Sequence, residues 1–402
     1  MHAFNLAVIG DIHYPLARLS NALDDKIFSP PGVVAALGKP RLSILIDDLI
    51  KTSKQQPFDA ILFVGDFTTG GSLPDFKDAL IYFSRALQSL NVPLIGVPGN
   101  HDLKKPQSFS ENSEKSIEFE RAILDPENKI LLAYSALREF PNVLNSSNAV
   151  IYALNSCSNC LELWQSTPKQ ALANYISGMH LTVPDEELYD YFDAPFLETD
   201  SITSLVSKLD GAGIKLPILL AHHNILPQKI PRVAIFPEML NAGFVRHTLA
   251  STNPPVVYIH GHVHDDSIDV IANPTNHAQV GLVTVSAPLA TDGYIQVRVL
   301  TADDDTPLAV NILQKRIDKV SMARPQETCI QLYGRTHVLS MLPEPTKRYL
   351  DDLQLSGGDR YDNSIALHGS DQINKLEIAG LISITRPTLN SCSTWRVRCS
   401  YD

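Results

Sequence analysis

The fold class is decided by the stretch AILFVGDFTTGG at residues 60–71 together with VPLIGVPGNHD at residues 92–102. Each part begins as a short apolar run and ends in glycine and polar residues, which indicates a buried strand that leads into a turn. A helical periodicity lies between them near residues 74–90, and the apolar run at residues 6–10 is followed by another near residues 40–54. This alternation predicts a βαβαβ unit with a parallel sheet, and therefore an α/β fold.

Strand patterns resume later in the chain, where long helices are not evident between them. They lie at residues 149–156, 216–223, 254–264, 281–290 and 294–300. Because strands joined without crossover helices pair with alternating direction, we expect a second, more antiparallel sheet here.

The acidic run Asp303-Asp304-Asp305 followed by Thr306-Pro307 is typical of a solvated turn or boundary. We therefore expect a large domain over residues 1–303 and an accessory module over residues 304–402. In that module an apolar helical pattern surrounds Ile373 and Leu376, and residues 394–399 alternate like a strand. A small helix-plus-hairpin module, for example a winged-helix-like one, fits this pattern. A dimerisation or lid element would show the same pattern.

Composition narrows the class of protein. The net charge of −11 argues against a broad basic surface for nucleic-acid backbones. Five cysteines form an odd set, which suits a reducing compartment, and the Cys157-x-x-Cys160 pair is either incidental or a redox or zinc site. No basic leader and no apolar stretch of about 20 residues is visible. We predict a cytoplasmic protein that is not embedded in a membrane.

Potential metal ligands follow five of the predicted strands. They are Asp11 and His13, Asp66, Asn100, His222, and the pair His262 and His264. Singly, such residues are also ordinary turn or helix-capping residues. Together they indicate one pocket, because ligands gather at the carboxyl ends of the strands in open α/β sheets. Carboxylate, amide and imidazole donors without cysteine favour Mn²⁺, Fe or Zn²⁺.

The order of these blocks resembles the calcineurin-like metallophosphoesterase superfamily. The blocks are Asp11-x-His13, Gly65-Asp66, Gly99-Asn100-His101-Asp102, His222 and Gly261-His262-x-His264. The segment GDFTTGGSLPDF at residues 65–76, with VPGNHD after it, is similar to the class III cyclic-nucleotide phosphodiesterase branch. That branch often has His-His-Pro at the fourth block, whereas Asn224 follows His223 here.

The resemblance implies a four-layer α/β/β/α sandwich of two mixed sheets and two divalent metal ions, with Mn²⁺ the first expectation. One ion would be held by Asp11, His13 and His264. The other would be held by Asn100, His222 and His262, and Asp66 would bridge both. His101 would act as a proton donor or charge stabiliser oriented by Asp102. His223 could lie just outside the ligands, and His260 is expected to be a packing residue or to lie in that same outer layer.

The predicted function is hydrolysis of a small phosphodiester, such as a cyclic nucleotide or a glycerophosphodiester, by a hydroxide that two metal ions activate. The domain at residues 1–303 would then be catalytic. The absence of a Gly-x-x-x-x-Gly-Lys-Ser/Thr loop argues against a P-loop NTPase. Two alternatives stay open, a nuclease of the Mre11/SbcD type and a non-enzymatic interaction protein on the same fold. Acidic composition disfavours nucleic acid as the partner, because phosphate contacts dominate such binding.

Overall fold

The computed structural model describes most of the chain in separate ranges. They are residues 2–14, 41–69, 72–102, 123–133, 135–141, 143–144, 149–157, 195, 197–211, 213–227, 239–302, 306–318, 321–385 and 396–400. The acidic run at residues 303–305 and Cys160 of the Cys-x-x-Cys pair lie outside these ranges. The predictions made for them stay predictions.

The described chain contains strands and helices in the following order. The strands are β1 (His2–Ile9), β2 (Ala60–Phe63), β3 (Leu94–Gly96), β4 (Ile130–Leu132), β5 (Leu137–Phe140), β6 (Ala149–Leu154), β7 (Leu216–Ala221), β8 (Val256–His260), β9 (Ile268–Ala272), β10 (Val280–Ser286), β11 (Gly293–Thr301), β12 (Pro307–Asp318), β13 (Ser321–Met322), β14 (Gln326–Gln331), β15 (Asp359–Arg360), β16 (Ile382–Thr385) and β17 (Arg396–Cys399). The α-helices are α1 (Arg41–Gln55), α2 (Leu73–Ala86), α3 (Thr199–Gly211), α4 (Ala242–Ala250), α5 (Arg335–Met341), α6 (Glu344–Ser356), α7 (Tyr361–His368) and α8 (Ser370–Ile378).

The first sheet has the predicted βαβαβ unit at its centre. Its order is β13-β12-β11-β1-β2-β3-β4, and β14 also pairs with β12. Strands β1 to β4 are parallel, whereas β11 returns antiparallel to β1 and β12 pairs antiparallel with β11. The run at residues 294–300 therefore belongs to the first sheet and not to the second. The polar ends of β1, β2 and β3 lie side by side at one edge, because parallel strands point the same way.

The second sheet has the order β5-β6-β7-β8-β10-β9. Its four central strands run parallel, and only the edge strands β5 and β9 are antiparallel to their neighbours. The expectation of a more antiparallel second sheet is therefore wrong. Helix α4 lies between β7 and β8 in the chain and provides a crossover that parallel pairing requires.

Alternating side chains of each strand separate the layers of the sandwich. In β1, Leu6 and Val8 face the second sheet in the inter-sheet core, whereas Ala7 and Ile9 pack with residues of α1 and α2. The other face of the second sheet packs against α3 and α4. Two mixed sheets thus lie between two helical layers, and the predicted α/β/β/α architecture is confirmed.

The large domain continues beyond the predicted boundary at residue 303. Strands β12 and β14 are integral to the first sheet, and Val310 and Ile312 of β12 are buried in the inter-sheet core. Within the described residues after 302, the parts outside the sandwich are the helices from α5 onward and the small sheet β15-β17-β16. Strand β12 begins just after the acidic run, so the acidic run does not mark the end of the domain.

The part after residue 335 contains the order helix, strand, helix, helix, strand, strand from α6 to β17, which is the order of a winged helix. Helix α8 faces β11 and β12, and the Cys329 thiol donates to the carbonyl of Ile378 over 3.0 Å. Buried residues of this part form one core cluster with Leu300 and Leu308 of those strands. The helix that would read DNA in a winged helix is therefore packed against the sandwich. A role for this part stays a prediction.

We expect two truncations to behave differently. Removing residues 306–402 deletes β12 and exposes the inter-sheet core, so this variant should fail to fold. Removing residues 335–402 keeps both sheets and uncovers only Leu300, Leu308 and their neighbours, so the shorter protein should fold with reduced stability and keep its metal-binding capacity. Near-ultraviolet circular dichroism and elemental analysis measure both outcomes. A folded, metal-binding 1–305 fragment would contradict the assignment of β12 to the domain.

None of the described helices is both long and apolar enough to cross a bilayer.

Candidate metal centre

The predicted ligands meet at the carboxyl ends of strands from both sheets. Asp11 and His13 follow β1, Asp66 follows β2, and Asn100 follows β3 in a short 3₁₀ turn. His222 follows β7 of the second sheet, and the last two ligands, His262 and His264, follow β8. The two sheets therefore deliver side chains to one site at the same edge of the sandwich.

Backbone strain is concentrated at this site. Among described residues other than glycine, a positive φ occurs at His13 (52°), Asp66 (50°), His262 (65°), His264 (52°) and Asn91. Left-handed backbone is uncommon for such residues and costs of order 1–3 kcal/mol each where the structure enforces it. Four of these five positions are predicted ligands. The concentration of strained backbone at four predicted ligands supports a functional role for the site.

One group of donors combines two carboxylates with two imidazoles. One ligand atom from each of Asp11, His13, Asp66 and His264 lies within 4.8 Å of the others. The Nε2 atoms of His13 and His264 are 3.3 Å apart, and Nε2 of His264 is 3.8 Å from Oδ1 of Asp11. These residues could hold a metal ion.

The other group contains mostly imidazoles. One ring nitrogen each from His222, His223 and His262 lies within 4.8 Å of the others. Nδ1 of His222 is 2.7 Å from the carbonyl oxygen of Val64, and Nε2 is 2.9 Å from Oδ1 of Asn100. With Nδ1–H donated to that carbonyl, Nε2 is the nitrogen available for a metal.

Asp66 belongs to the first group and also lies close to a member of the second. Its Oδ2 is 3.4 Å from Nε2 of His222 and 3.8 Å from Nε2 of His13, while its Oδ1 accepts the backbone N–H of His101 over 2.9 Å. Gly99 makes this arrangement possible, because a Cβ at that position would overlap the Asp66 carboxylate. The position agrees with the predicted bridging role, which stays a prediction.

The structure corrects the predicted role of Asp102. Nδ1 of His101 lies 2.8 Å from the carbonyl oxygen of Thr69. The two oxygens of Asp102 accept the backbone N–H groups of Thr68 and Gly99, both over 2.8 Å. Asp102 therefore fixes the turn that carries His101, and the Thr69 carbonyl orients the ring. A backbone acceptor leaves no trace in side-chain motifs, so sequence reasoning could not find it.

The charges of the site favour a cation at its centre. Burial raises the pKa of Asp11 to about 6 and that of Asp102 to about 7. Burial would lower the pKa of His222, but the charge of Asp66 together with its hydrogen bond raises it to about 10. A positive charge is thus stabilised between these carboxylates. A metal ion would supply that charge.

Three other imidazoles of the site are in the form that binds metals. Burial lowers the pKa of His13 to about 4, and burial lowers the pKa of His262 and His223 well below the usual range. These rings are therefore neutral at pH 7, and a neutral imidazole is the metal-binding form. The donor set of carboxylates, an amide oxygen and neutral imidazoles fits divalent metal ions of borderline character.

The sequence model of the calcineurin-like phosphoesterase family matches residues 4–266, so the chain belongs to that family. Membership of a phosphoesterase family and the two groups of potential ligands support hydrolase and metal-binding character. A comparison with curated proteins finds no match.

Several solved structures are similar to this chain. A putative 5'-nucleotidase from Staphylococcus aureus in complex with alpha-ketoglutarate is 12% identical, with 87% of this chain and 57% of that chain covered and a TM-score of 0.40. PhoD is 10% identical, with 83% and 70% covered and a TM-score of 0.48. The calcineurin-like phosphoesterase YfkN from Bacillus subtilis is 13% identical, with 86% and 98% covered and a TM-score of 0.37. The chain thus spans little more than half of the nucleotidase.

We expect chelation to destabilise the protein. A ligand that binds only the folded state at about 100 times its Kd adds about 2.7 kcal/mol, so stripping the metals should lower the unfolding temperature by roughly 5 °C. Calorimetry with and without EDTA measures the shift. The same treatment of Asp66→Asn should produce a smaller shift. An equal shift in both proteins would mean that chelation acts elsewhere.

Proposed function

We propose that this protein is a metal-dependent hydrolase of a small phosphodiester, such as a cyclic nucleotide or a glycerophosphodiester. The observation that carries the proposal is the placement of His101 beside two groups of potential metal ligands. Its ring centroid is 5.0 Å from that of His13, and the side chain is only partly buried. His262 and His264 are also only partly buried, but both belong to the groups of potential ligands. We therefore assign His101, which belongs to neither group, to the substrate at the edge of the site.

The metal ions and His101 would have different roles in the reaction. Two divalent ions in this site would supply Lewis-acid chemistry that activates water and neutralises phosphoryl charge. His101 would hold a proton for the leaving oxygen on Nε2, because its Nδ1–H is donated to the Thr69 carbonyl. A diester that releases an alkoxide has a poorer leaving group than an aryl ester, so a positioned acid benefits such a diester most. The segment GDFTTGG, similar to the class III phosphodiesterase branch, supports the same substrate class.

Substrate preference tests the proposal directly. The full chain reconstituted with Mn²⁺ is assayed against bis(p-nitrophenyl) phosphate, p-nitrophenyl phosphate and a cyclic nucleotide. We expect diester hydrolysis to exceed monoester hydrolysis, and the preference to persist with Zn²⁺. A clear preference for the monoester with both metals would overturn the proposed diester specificity and leave a phosphomonoesterase.

The nuclease alternative is an outcome of the same assay. Single-stranded DNA is added as a fourth substrate, and the salt dependence of its binding is measured. Phosphate-backbone recognition makes affinity fall steeply with salt. Rapid DNA cleavage with such a dependence would replace the small diester as the substrate. Absence of activity on every ester, with no metal bound, would favour the interaction protein.

A further inference from the structure

His223 is a buried imidazole beside the second group of donors. It directly follows His222 after β7, and its side chain is 1% exposed. Its ring centroid is 4.8 Å from that of His222 and 4.5 Å from that of His262. One of its ring nitrogens lies within 4.8 Å of a ring nitrogen of each of them. The family motif does not assign this histidine a metal.

The two nitrogens of the His223 ring have different surroundings. Nδ1 is 2.8 Å from Oγ of Ser156 and 3.9 Å from Sγ of Cys157. Oγ of Ser156 also accepts the backbone N–H of His223 over 3.2 Å. Nε2 is fully buried and has no hydrogen-bond partner among the residues that the structure describes. One edge of the ring is therefore fixed, and the other is buried and free.

The hydrogen bond to Ser156 decides which nitrogen carries the proton. If Ser156 donated to Nδ1, the proton would lie on Nε2 and would be a buried donor without an acceptor, which folded proteins avoid. If Nδ1–H donates to Ser156, Nε2 presents a lone pair. Metal-binding histidines characteristically donate their other ring N–H to an oxygen acceptor. His222 has this arrangement with the carbonyl of Val64, and His223 repeats it with Ser156.

We propose that Nε2 of His223 is an additional ligand of the metal ion that His222 and His262 hold, with Ser156 as the residue that sets its tautomer. The inference rests on the proposed metal dependence of the function. With His223 as a ligand, the two metal positions differ in the type of their ligands. The second is rich in imidazole, whereas the first contains Asp11 and shares Asp66. Imidazole suits Zn²⁺ and Co²⁺, and carboxylate suits Mn²⁺, so the second position should prefer Zn²⁺ or Co²⁺.

Cobalt-loaded protein provides a test that does not depend on activity. The full chain is loaded with Co²⁺, and proton NMR records the hyperfine-shifted, exchangeable N–H signals of Co²⁺-bound imidazoles. We expect His223→Leu to show one such signal fewer than the wild-type protein. Its Co²⁺ affinity at the second position should fall at least roughly 100-fold, because outer partners of ligands are themselves worth about 10–100-fold. The matched control is His260→Leu, another buried imidazole nearby, which should keep every signal.

A second variant keeps the test decisive if His223→Leu does not fold. In Ser156→Ala the ring remains, but the acceptor of its Nδ1–H is lost, so one hyperfine-shifted signal should move and exchange faster with solvent. Wild-type signals and affinity retained in His223→Leu, or unchanged signals in Ser156→Ala, would overturn the ligand role while leaving the proposed function intact. A wild-type protein that binds no metal would overturn both.

Discussion

Replacing Asp66 with asparagine is expected to remove at least one metal ion and to lower diester hydrolysis by more than about 100-fold. The carboxylate lies between both donor groups, with Oδ2 near His222 and His13. An amide has one good acceptor and no charge to offset the positive charge of two divalent ions. The loss should exceed the 10–100-fold effect of disturbing an outer partner of a metal ligand.

Elemental analysis and diester kinetics of the purified variant measure this outcome. The matched control is Asp78→Asn, the same change at an exposed carboxylate of α2, which should keep both metals and the wild-type rate. Two metals and a near-normal rate in Asp66→Asn would place the bridge on another residue. Circular dichroism separates metal loss from unfolding.

The second large effect concerns His101→Ala, which should keep both metals and lower turnover by roughly 10²–10⁴-fold, the usual contribution of a positioned acid or base. His101 lies next to Asn100 in the turn, but its ring is turned to the Thr69 carbonyl and does not share the His222 contact of Asn100. The loss should be greatest for a diester with a poor leaving group, because that oxygen needs the proton most.

Kinetics with two diesters, one with a good and one with a poor leaving group, check the role. The expected pattern is a fall in kcat with a small change in KM, together with loss of the high-pH limb of the rate profile. Equal losses for both diesters would make His101 a charge stabiliser and not an acid. Unchanged turnover with the poor leaving group would remove it from the mechanism.

The fold could be predicted from local patterns where a strand and its polar end are adjacent in sequence. An apolar run followed by a turn was enough to predict the strand AILFV before Gly65-Asp66 and the strand before Asn100. Strand direction could not be predicted in the same way. Strand β11 looks like the strands before it, yet it pairs antiparallel with β1 from the start of the chain, and β12 extends that sheet past the acidic run. Pairing partners are set by long-range packing, which local periodicity does not encode.

The chemistry of the site could be predicted from local sequence: which side chains follow the strands, their oxygen and nitrogen donors, and the family that they indicate. The relative positions of those side chains required the folded chain. It placed Asp66 between two donor groups and turned His101 toward the carbonyl of Thr69. It also buried His223 with one nitrogen fixed by Ser156 and the other without a hydrogen-bond partner in the part of the chain that the structure describes. A residue's type is a local property, whereas its neighbours, its tautomer and its pKa depend on chain segments that meet only when both sheets pack together.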